Sequence, residues 1–221
     1  MNYCIAIDGP AGAGKSTIAK VVAKKLEFIY VDTGAMYRAM GLYFFDNNLD
    51  SEKHEEVLKA CENADITIEY KDGEQLVILN GENVNGRIRT EEASKNASKV
   101  AKVKEVREKL VELQRKLASV ENVIMDGRDV GTQILPNANL KIYLTASSAE
   151  RAKRRWKENT AKGIECDLAT IEADIIARDE QDMNREISPL VQAEDAILLD
   201  SSTMTIDEVV DAIIDLYNTH K

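Results

Sequence analysis

Gly9-Pro10-Ala11-Gly12-Ala13-Gly14-Lys15-Ser16, followed by Thr17, fits the spacing G-x-x-x-x-G-K-[ST] at every fixed position. The apolar run Tyr3 to Ile7 before it predicts a short buried strand, and Ile18 to Leu26 after it carries apolar residues at helical spacing. Strand, glycine-rich turn and helix is the setting in which this spacing cradles a polyphosphate. The glycines let the backbone curl so that successive N–H groups point inward, and the helix start adds its partial positive charge. Lys15 is then placed to reach the β- and γ-phosphates, and the Ser16 hydroxyl to ligate Mg²⁺. The rival dinucleotide fingerprint G-x-G-x-x-G fails, because Gly12 and Gly14 are followed by Thr17 where a third glycine is required.

Further along, Phe28 to Val31 reads as a second core strand ending at Asp32-Thr33-Gly34, and Ala35 to Phe45 as a helix with Thr33 as its N-cap. Parallel strands deliver their C-terminal ends to the ligand crevice, so residues 32–38 are expected beside the phosphate loop. Tyr37 and Arg38 there read either as ligand contacts or as a core aromatic and a solvated cation. Val123-Ile124-Met125-Asp126 is an apolar strand ending in an aspartate of the Walker B kind, and Gly127-Arg128-Asp129-Val130-Gly131-Thr132 follows at the same edge. An arginine set between a glycine and carboxylates at a strand's end points to function. With Leu140 to Leu144 and Ala196 to Leu199 the core strands number five, alternating with helices. The expected fold is a three-layer α/β/α sandwich on a five-stranded parallel sheet, of the P-loop NTP hydrolase type.

Two segments fall outside that alternation. After a helix over Ser51 to Asn63, the residues Ile66, Ile68 and Tyr70 alternate, Lys71-Asp72-Gly73-Glu74 turns, Leu76 to Leu79 returns, and Asn80-Gly81 turns again toward Glu82 to Val84. Residues 64–86 therefore read as a small antiparallel insert. The second segment, 148–188, reads as a helical lid. It opens with the capping box Ser147-Ser148-Ala149-Glu150 and carries Arg151, Lys153, Arg154, Arg155 and Lys157, the densest cationic patch in the chain. Its second helix, Asp167 to about Asn184, has an apolar row Leu168, Ile171, Ile175 that continues as Arg178, Asp182, Arg185. That row is either a surface salt-bridge ladder, worth a few tenths of a kcal/mol per pair, or the inner face of a flap that closes on a phosphate. Between insert and lid, Glu91 to Leu117 is a long helical stretch with a break near Ala101 and a stripe from Val100 to Leu117. Arg107 sits on the flank of that stripe, where it either snorkels outward or meets an enclosed anion or acceptor. The whole chain, 1–221, is expected to be a single domain with its core in residues 1–63, 87–147 and 189–221.

The 221 residues carry a net charge of −10, which argues against a general nucleic-acid binder and requires any cations serving a phosphate to be gathered locally. No apolar run approaches the roughly 20 residues of a membrane helix. The N-terminus has no signal-peptide pattern, so a cytoplasmic protein is expected. Cys4, Cys61 and Cys166 are spaced as reduced thiols, with Cys4 expected in the core. His54 and His220 are the only histidines, which removes His-rich zinc sites and Ser-His-Asp chemistry.

Taken together, IDGPAGAGKST at 7–17, VDTGAMYR at 31–38, NASKVA at 96–101, MDGRDVGT at 125–132 and RDEQDMNR at 178–185 resemble the bacterial cytidylate kinase family of nucleoside monophosphate kinases. The resemblance runs through the whole chain, and the insert at 64–86 resembles the extra segment near that family's monophosphate site. It implies ATP as donor, held by Gly9 to Thr17 with Mg²⁺, and CMP or dCMP as acceptor. Ser98, Arg107 and Asp129 would bond the cytosine edge, with Tyr37 lining its pocket. Arg38, Arg128 and Arg185 would hold the monophosphate, Arg178 and Asp182 the sugar hydroxyls, and Thr33 and Asp126 would belong to the same acceptor site. Lys15, Arg128, Arg185 and Arg155 would serve catalysis; Arg151, Arg154 and Arg155 all fall in the lid, and the resemblance leaves open which of them reaches the transferred phosphoryl. A monomer with no nucleic-acid or membrane partner is expected. The rivals are a kinase for another monophosphate or a metabolite hydroxyl, and a nucleotide switch. The chain has no N-K-x-D base-reading motif of the kind GTP switches use.

Overall fold

The computed structural model describes residues 2–71 and 74–221, so Asp72 and Gly73 of the expected turn lie outside the described residues. In chain order the elements begin with β1 (Cys4–Asp8), α1 (Lys15–Leu26) and β2 (Ile29–Asp32). There follow α2 (Thr33–Asp46), α3 (His54–Asn63), β3 (Ile66–Lys71), β4 (Glu74–Leu79), β5 (Glu82–Asn83), α4 (Glu91–Val100) and α5 (Lys104–Val120). The chain ends with β6 (Val123–Gly127), a π-helical turn (Val130–Ile134), β7 (Leu140–Thr145), α6 (Ser148–Ala161), α7 (Leu168–Met183), β8 (Ile197–Asp200) and α8 (Ile206–His220). These elements form two compact units, one of residues 3–29 and 122–221, the other of residues 30–121.

The expected strands form the parallel sheet, in the order β2-β6-β1-β7-β8; β6, β1, β7 and β8 belong to the first unit, and the chain passes to the second within the edge strand β2. β1 is central because it is apolar on both faces: Ile5, Ala6 and Ile7 are buried, and so are Val123, Ile124 and Met125 of β6 beside it. The register sets Ile7 level with Asp126 and with Ile142 of β7, and Asp8 level with Gly127. The C-terminal ends of β1 and β6 therefore stop together, which brings the two loops that follow them to one edge. α1 packs on β1 and β6 through Ile18, Ala19, Val22 and Ala23, with α8 alongside. Cys4, expected in the core, is half-buried, because it is the first residue of β1 and not a central one.

The second unit has its own core, built on Met36 and Met40 of α2, Ile66 of β3 and Leu110 of α5. α2 starts at Thr33 and not after it. Asp32 is the N-cap, its carboxylate accepting from Ala35 N at 2.9 Å, so the expected Thr33 cap is displaced by one residue. The carboxylate reaches the third helical N–H, which a threonine already in helical conformation cannot do. The helix break near Ala101 is present, between α4 and α5.

The insert is a three-stranded antiparallel sheet in the order β3-β4-β5. Asn80 (φ 50°) and Gly81 (φ 83°) join β4 to β5 with both central residues at positive φ, the backbone that a two-residue hairpin demands. Beyond the short β5, the side chain of Asn85 imitates a further peptide group. Its Oδ1 accepts from Val77 N and its Nδ2 donates to Gln75 O, both at 2.8 Å. The insert is tied to the end of β2 by Tyr70, whose hydroxyl donates to Tyr30 O at 3.0 Å, and by Gln75 Oε1, which accepts from Asp32 N at 2.7 Å. Among the described residues no helix is long and apolar enough to cross a membrane.

Replacing Asn85 by Ala leaves the Val77 N–H, which belongs to a residue only 1% exposed, without its acceptor. The expected cost is about 1–3 kcal/mol, read as a lowered unfolding midpoint in a denaturant titration.

Candidate active site

The phosphate loop leaves β1 at Gly9, whose φ is 148° and where a side-chain carbon would lie 1.9 Å from the carbonyl oxygen of Leu144. Only glycine lets the loop pass that close to β7. At the other end of the loop α1 begins with no side-chain cap and no acidic residue in its first turn. In the same unit α6, α7 and α8 are capped by Ser147, Asp167 and Thr205. A helix start whose N–H groups no side chain occupies is an anion site.

Lys15 is 5% exposed, and its Nζ donates to Pro10 O at 2.7 Å. Burial, and after it the charge of Arg128, push its ammonium down to about 7, against the pull of Asp126 and Asp8. Burial is the larger effect, and the carboxylates of Asp126, Asp8 and Asp182 do not offset it. Ser16 Oγ donates to Asp126 Oδ2 at 2.8 Å, so the hydroxyl of the loop and the carboxylate at the end of β6 form one oxygen pair. Hard oxygens in a pair of this kind suit Mg²⁺, which takes few protein ligands and completes its shell with phosphate and water.

The segment after β6 is held from two sides. Arg128 Nε donates to Asp182 Oδ2 at 2.8 Å, and Arg185 Nη2 stands 3.3 Å from Asp182 Oδ1. Burial works against the charged form of Asp182, but Arg128 and Arg185 outweigh it and its pKa lies below the ordinary value. The row Arg178, Asp182, Arg185 is thus more than a local ladder, since its central carboxylate pairs both with Arg185 and with Arg128, the residue that follows β6. Asp129 is buried and is the N-cap residue of the π turn.

Two carboxylates that the sequence reading passed over are engaged here. Asp8 is 5% exposed and accepts from Val130 N at 2.8 Å and from Gly131 N at 2.7 Å. Burial pushes its carboxyl up to about 6, although both N–H donors pull it down. Its signal was that of Asp126, an aspartate ending an apolar strand. Asp179, also 5% exposed, accepts from Arg151 at 2.6 Å. Arg151, read as one of the lid cations, is itself buried. Its Nε donates to Ala146 O and its Nη1 to Ala11 O of the phosphate loop, both at 2.8 Å. Arg154 donates to Ser201 O at 2.6 Å. Arg155 is exposed.

In the second unit Arg38 Nη2 donates to Asp32 Oδ2 at 2.8 Å, so one carboxylate caps α2 and holds Arg38. Arg107 does not snorkel. It is 4% exposed, donates to Ala101 O at 3.2 Å and lies over the ring of Tyr37, 5.5 Å from its centroid. Tyr37 and Thr33 are buried, and Ser98 is half-buried with its hydroxyl donating to Ser94 O at 3.1 Å.

Asp179→Ala would leave the Arg151 guanidinium enclosed without its counter-charge. The expected loss of stability is about 3–5 kcal/mol, measurable by urea denaturation, whereas a surface pair would register under about 1 kcal/mol.

Residues 5–219 match the family model described as cytidylate kinase. A cytidylate kinase of Caldicellulosiruptor saccharolyticus is 54% identical over 213 residues, covering 96% of this chain and 94% of its own length. One from Lactobacillus johnsonii is 51% identical over 218 residues, covering 98% and 95%. A crystal structure of an uncharacterized protein from Eubacterium ventriosum shares the fold alone, with a TM-score of 0.55 at 13% identity over 98% of this chain and 99% of its own. With the motifs of residues 7–17 and 125–132 standing at the paired ends of β1 and β6, and with relatives of this identity over nearly its whole length, the chain belongs to the cytidylate kinase family.

Proposed function

We propose that the chain transfers the γ-phosphoryl group of ATP to the phosphate oxygen of CMP or dCMP, giving ADP and CDP or dCDP. The observation that carries this reading is the uncapped start of α1, with Lys15 and the Ser16–Asp126 pair beside it, in a chain half identical to cytidylate kinases. Residues 9–17 take the triphosphate of ATP. Ser16 and Asp126 are the oxygens that would hold Mg²⁺, which when bound offsets charge on the β- and γ-phosphates. Tyr37, Ser98, Arg107 and Asp129 take the cytosine. Arg38, Arg128 and Arg185 take the acceptor phosphate, Arg178 and Asp182 the sugar, and Thr33 lies among these residues in the chain.

The acceptor is already an anion, so no side chain has to remove a proton from it. What the protein supplies is alignment of donor and acceptor and neutralisation of charge by Lys15 and the arginines. Residues 148–188 act as a lid and 64–86 as part of the acceptor site, so that water is excluded as a competing acceptor. Arg155 is the lid arginine that meets the transferred group, a reading supported by the bonds that already occupy Arg151 and Arg154. The protein works as a cytoplasmic monomer, without nucleic acid or membrane.

A coupled assay with CMP, dCMP, UMP, AMP and GMP tests the substrate; best turnover with anything other than a cytidine nucleotide overturns it. Lys15→Ala should lower kcat by several orders of magnitude with the fold intact by circular dichroism. Arg155→Ala should lower kcat about a hundredfold or more at an unchanged unfolding midpoint, and a normal rate would remove Arg155 from the mechanism.

A further inference from the structure

Asp8 has no place among the residues assigned to either substrate, yet its carboxylate is buried and engaged at both oxygens. Both of its oxygens accept a backbone N–H, Val130 N at 2.8 Å and Gly131 N at 2.7 Å. These are the first two residues of the π turn, which begins directly after Arg128 and Asp129. Asp129 occupies the N-cap position of that turn but makes no side-chain cap bond to it. A carboxylate on β1 therefore does the work of an N-cap from the neighbouring strand. On its other side Asp8 is joined to Gly9, where the phosphate loop starts. Gly131 is matched to this arrangement. A side-chain carbon there would lie 3.3 Å from Asp8 Oδ2 and 3.2 Å from Lys141 Cδ, close enough to push one of them aside.

We infer that Asp8 is a positioning residue, whose two-pronged grip on Val130 and Gly131 holds the Arg128–Asp129 segment in register with the phosphate loop. The inference rests on the proposed roles of Arg128 and Asp129 toward CMP. Asp8 fixes the backbone from which the CMP-binding side chains project, relative to the backbone that cradles ATP. Small displacements between reacting groups are costly in rate, and a carboxylate gripping two N–H groups resists them better than one bond to a neutral acceptor. Burial holds the Asp8 carboxyl well above its ordinary range, so its ionised form works against folding stability.

Asp8→Asn keeps the shape, offers one acceptor oxygen instead of two, and sets an NH₂ against the other N–H. In this variant amide hydrogen exchange at Val130 and Gly131 should quicken about tenfold or more while the rest of the sheet keeps its protection. KM for CMP should rise about tenfold or more while KM for ATP stays within about twofold. Gly131→Ala, which leaves the carboxylate but crowds it, should shift KM for CMP in the same direction. Unchanged exchange at the two amides, or equal rises in both KM values, would overturn the inference. So would unfolding of Asp8→Asn combined with normal kinetics in Gly131→Ala. The exchange measurement uses no nucleotide, so a wild-type chain inactive on CMP would sink the substrate reading while the grip of Asp8 is still judged on the two amides.

Discussion

A charge cut off from water has to be matched at close range, and in the first unit that requirement organises everything around the phosphate loop. Asp179 is matched by Arg151, Asp182 by Arg128 and Arg185, Asp126 by the Ser16 hydroxyl, and Asp8 by two backbone N–H groups. Lys15 is the member of this set with the poorest match. Its ammonium is buried, bonded to a carbonyl and crowded by the charge of Arg128, and its pKa falls accordingly. The carboxylates close to it already have other donors. What completes this charge pattern is an anion brought from outside, and the α1 start beside Lys15 has N–H groups aimed for one. The structure of the first unit is thus arranged around a negative ligand.

How far this could be read from the residues depended on the range of the interaction. The strands of the sheet are short apolar runs and the Asn80-Gly81 hairpin is a two-residue signal; both are local, and both are where the residues put them. Of the expected box at the head of α6 one half forms: Ser147 Oγ accepts from Glu150 N, while the Ser147 N–H donates to Ser202 Oγ in place of the Glu150 carboxylate. The cap of α2 was misplaced by one residue because Thr33 and Asp32 are both good caps, and only the backbone shows which of them has already entered the helix. For Arg107 the flank of a stripe is compatible with either exposure or burial, and only the fold supplies what makes it buried, the carbonyl of Ala101 and the ring of Tyr37.

The lid arginines were the hardest to read. Arg151, Arg154 and Arg155 are neighbours on one helix, and in a chain of net charge −10 their density suggests one shared task. The structure divides them. Arg151 is on the side of α6 that meets the phosphate loop and α7, and its partners lie 140 residues back and 28 residues ahead, a separation that no local pattern records. Arg154 is bonded to the backbone at Ser201, and Arg155 stands in solvent. Composition located the patch correctly but could not assign its members.

Arg151 also shows why a buried ion pair should sit behind a loop of glycine and alanine. The peptide bond is planar and trans, so a C=O and the N–H of the following residue point in opposite directions. By gripping the Ala11 carbonyl, Arg151 sets the direction of the Gly12 N–H on the opposite side of the same peptide. The planar guanidinium can do this while also bonding Ala146 O and Asp179, which a lysine, with one nitrogen, could not do in the same geometry. Of the loop's own side chains, Lys15 holds the Pro10 carbonyl, and the alanines and glycines of residues 11–14 carry none that can hold a peptide in place. Their orientation is imposed from outside the motif, by an arginine on α6 that is in turn held by a carboxylate on α7. The familiar spacing of residues 9–16 therefore specifies a backbone that can bind phosphate, and the buried pair behind it keeps that backbone turned the right way.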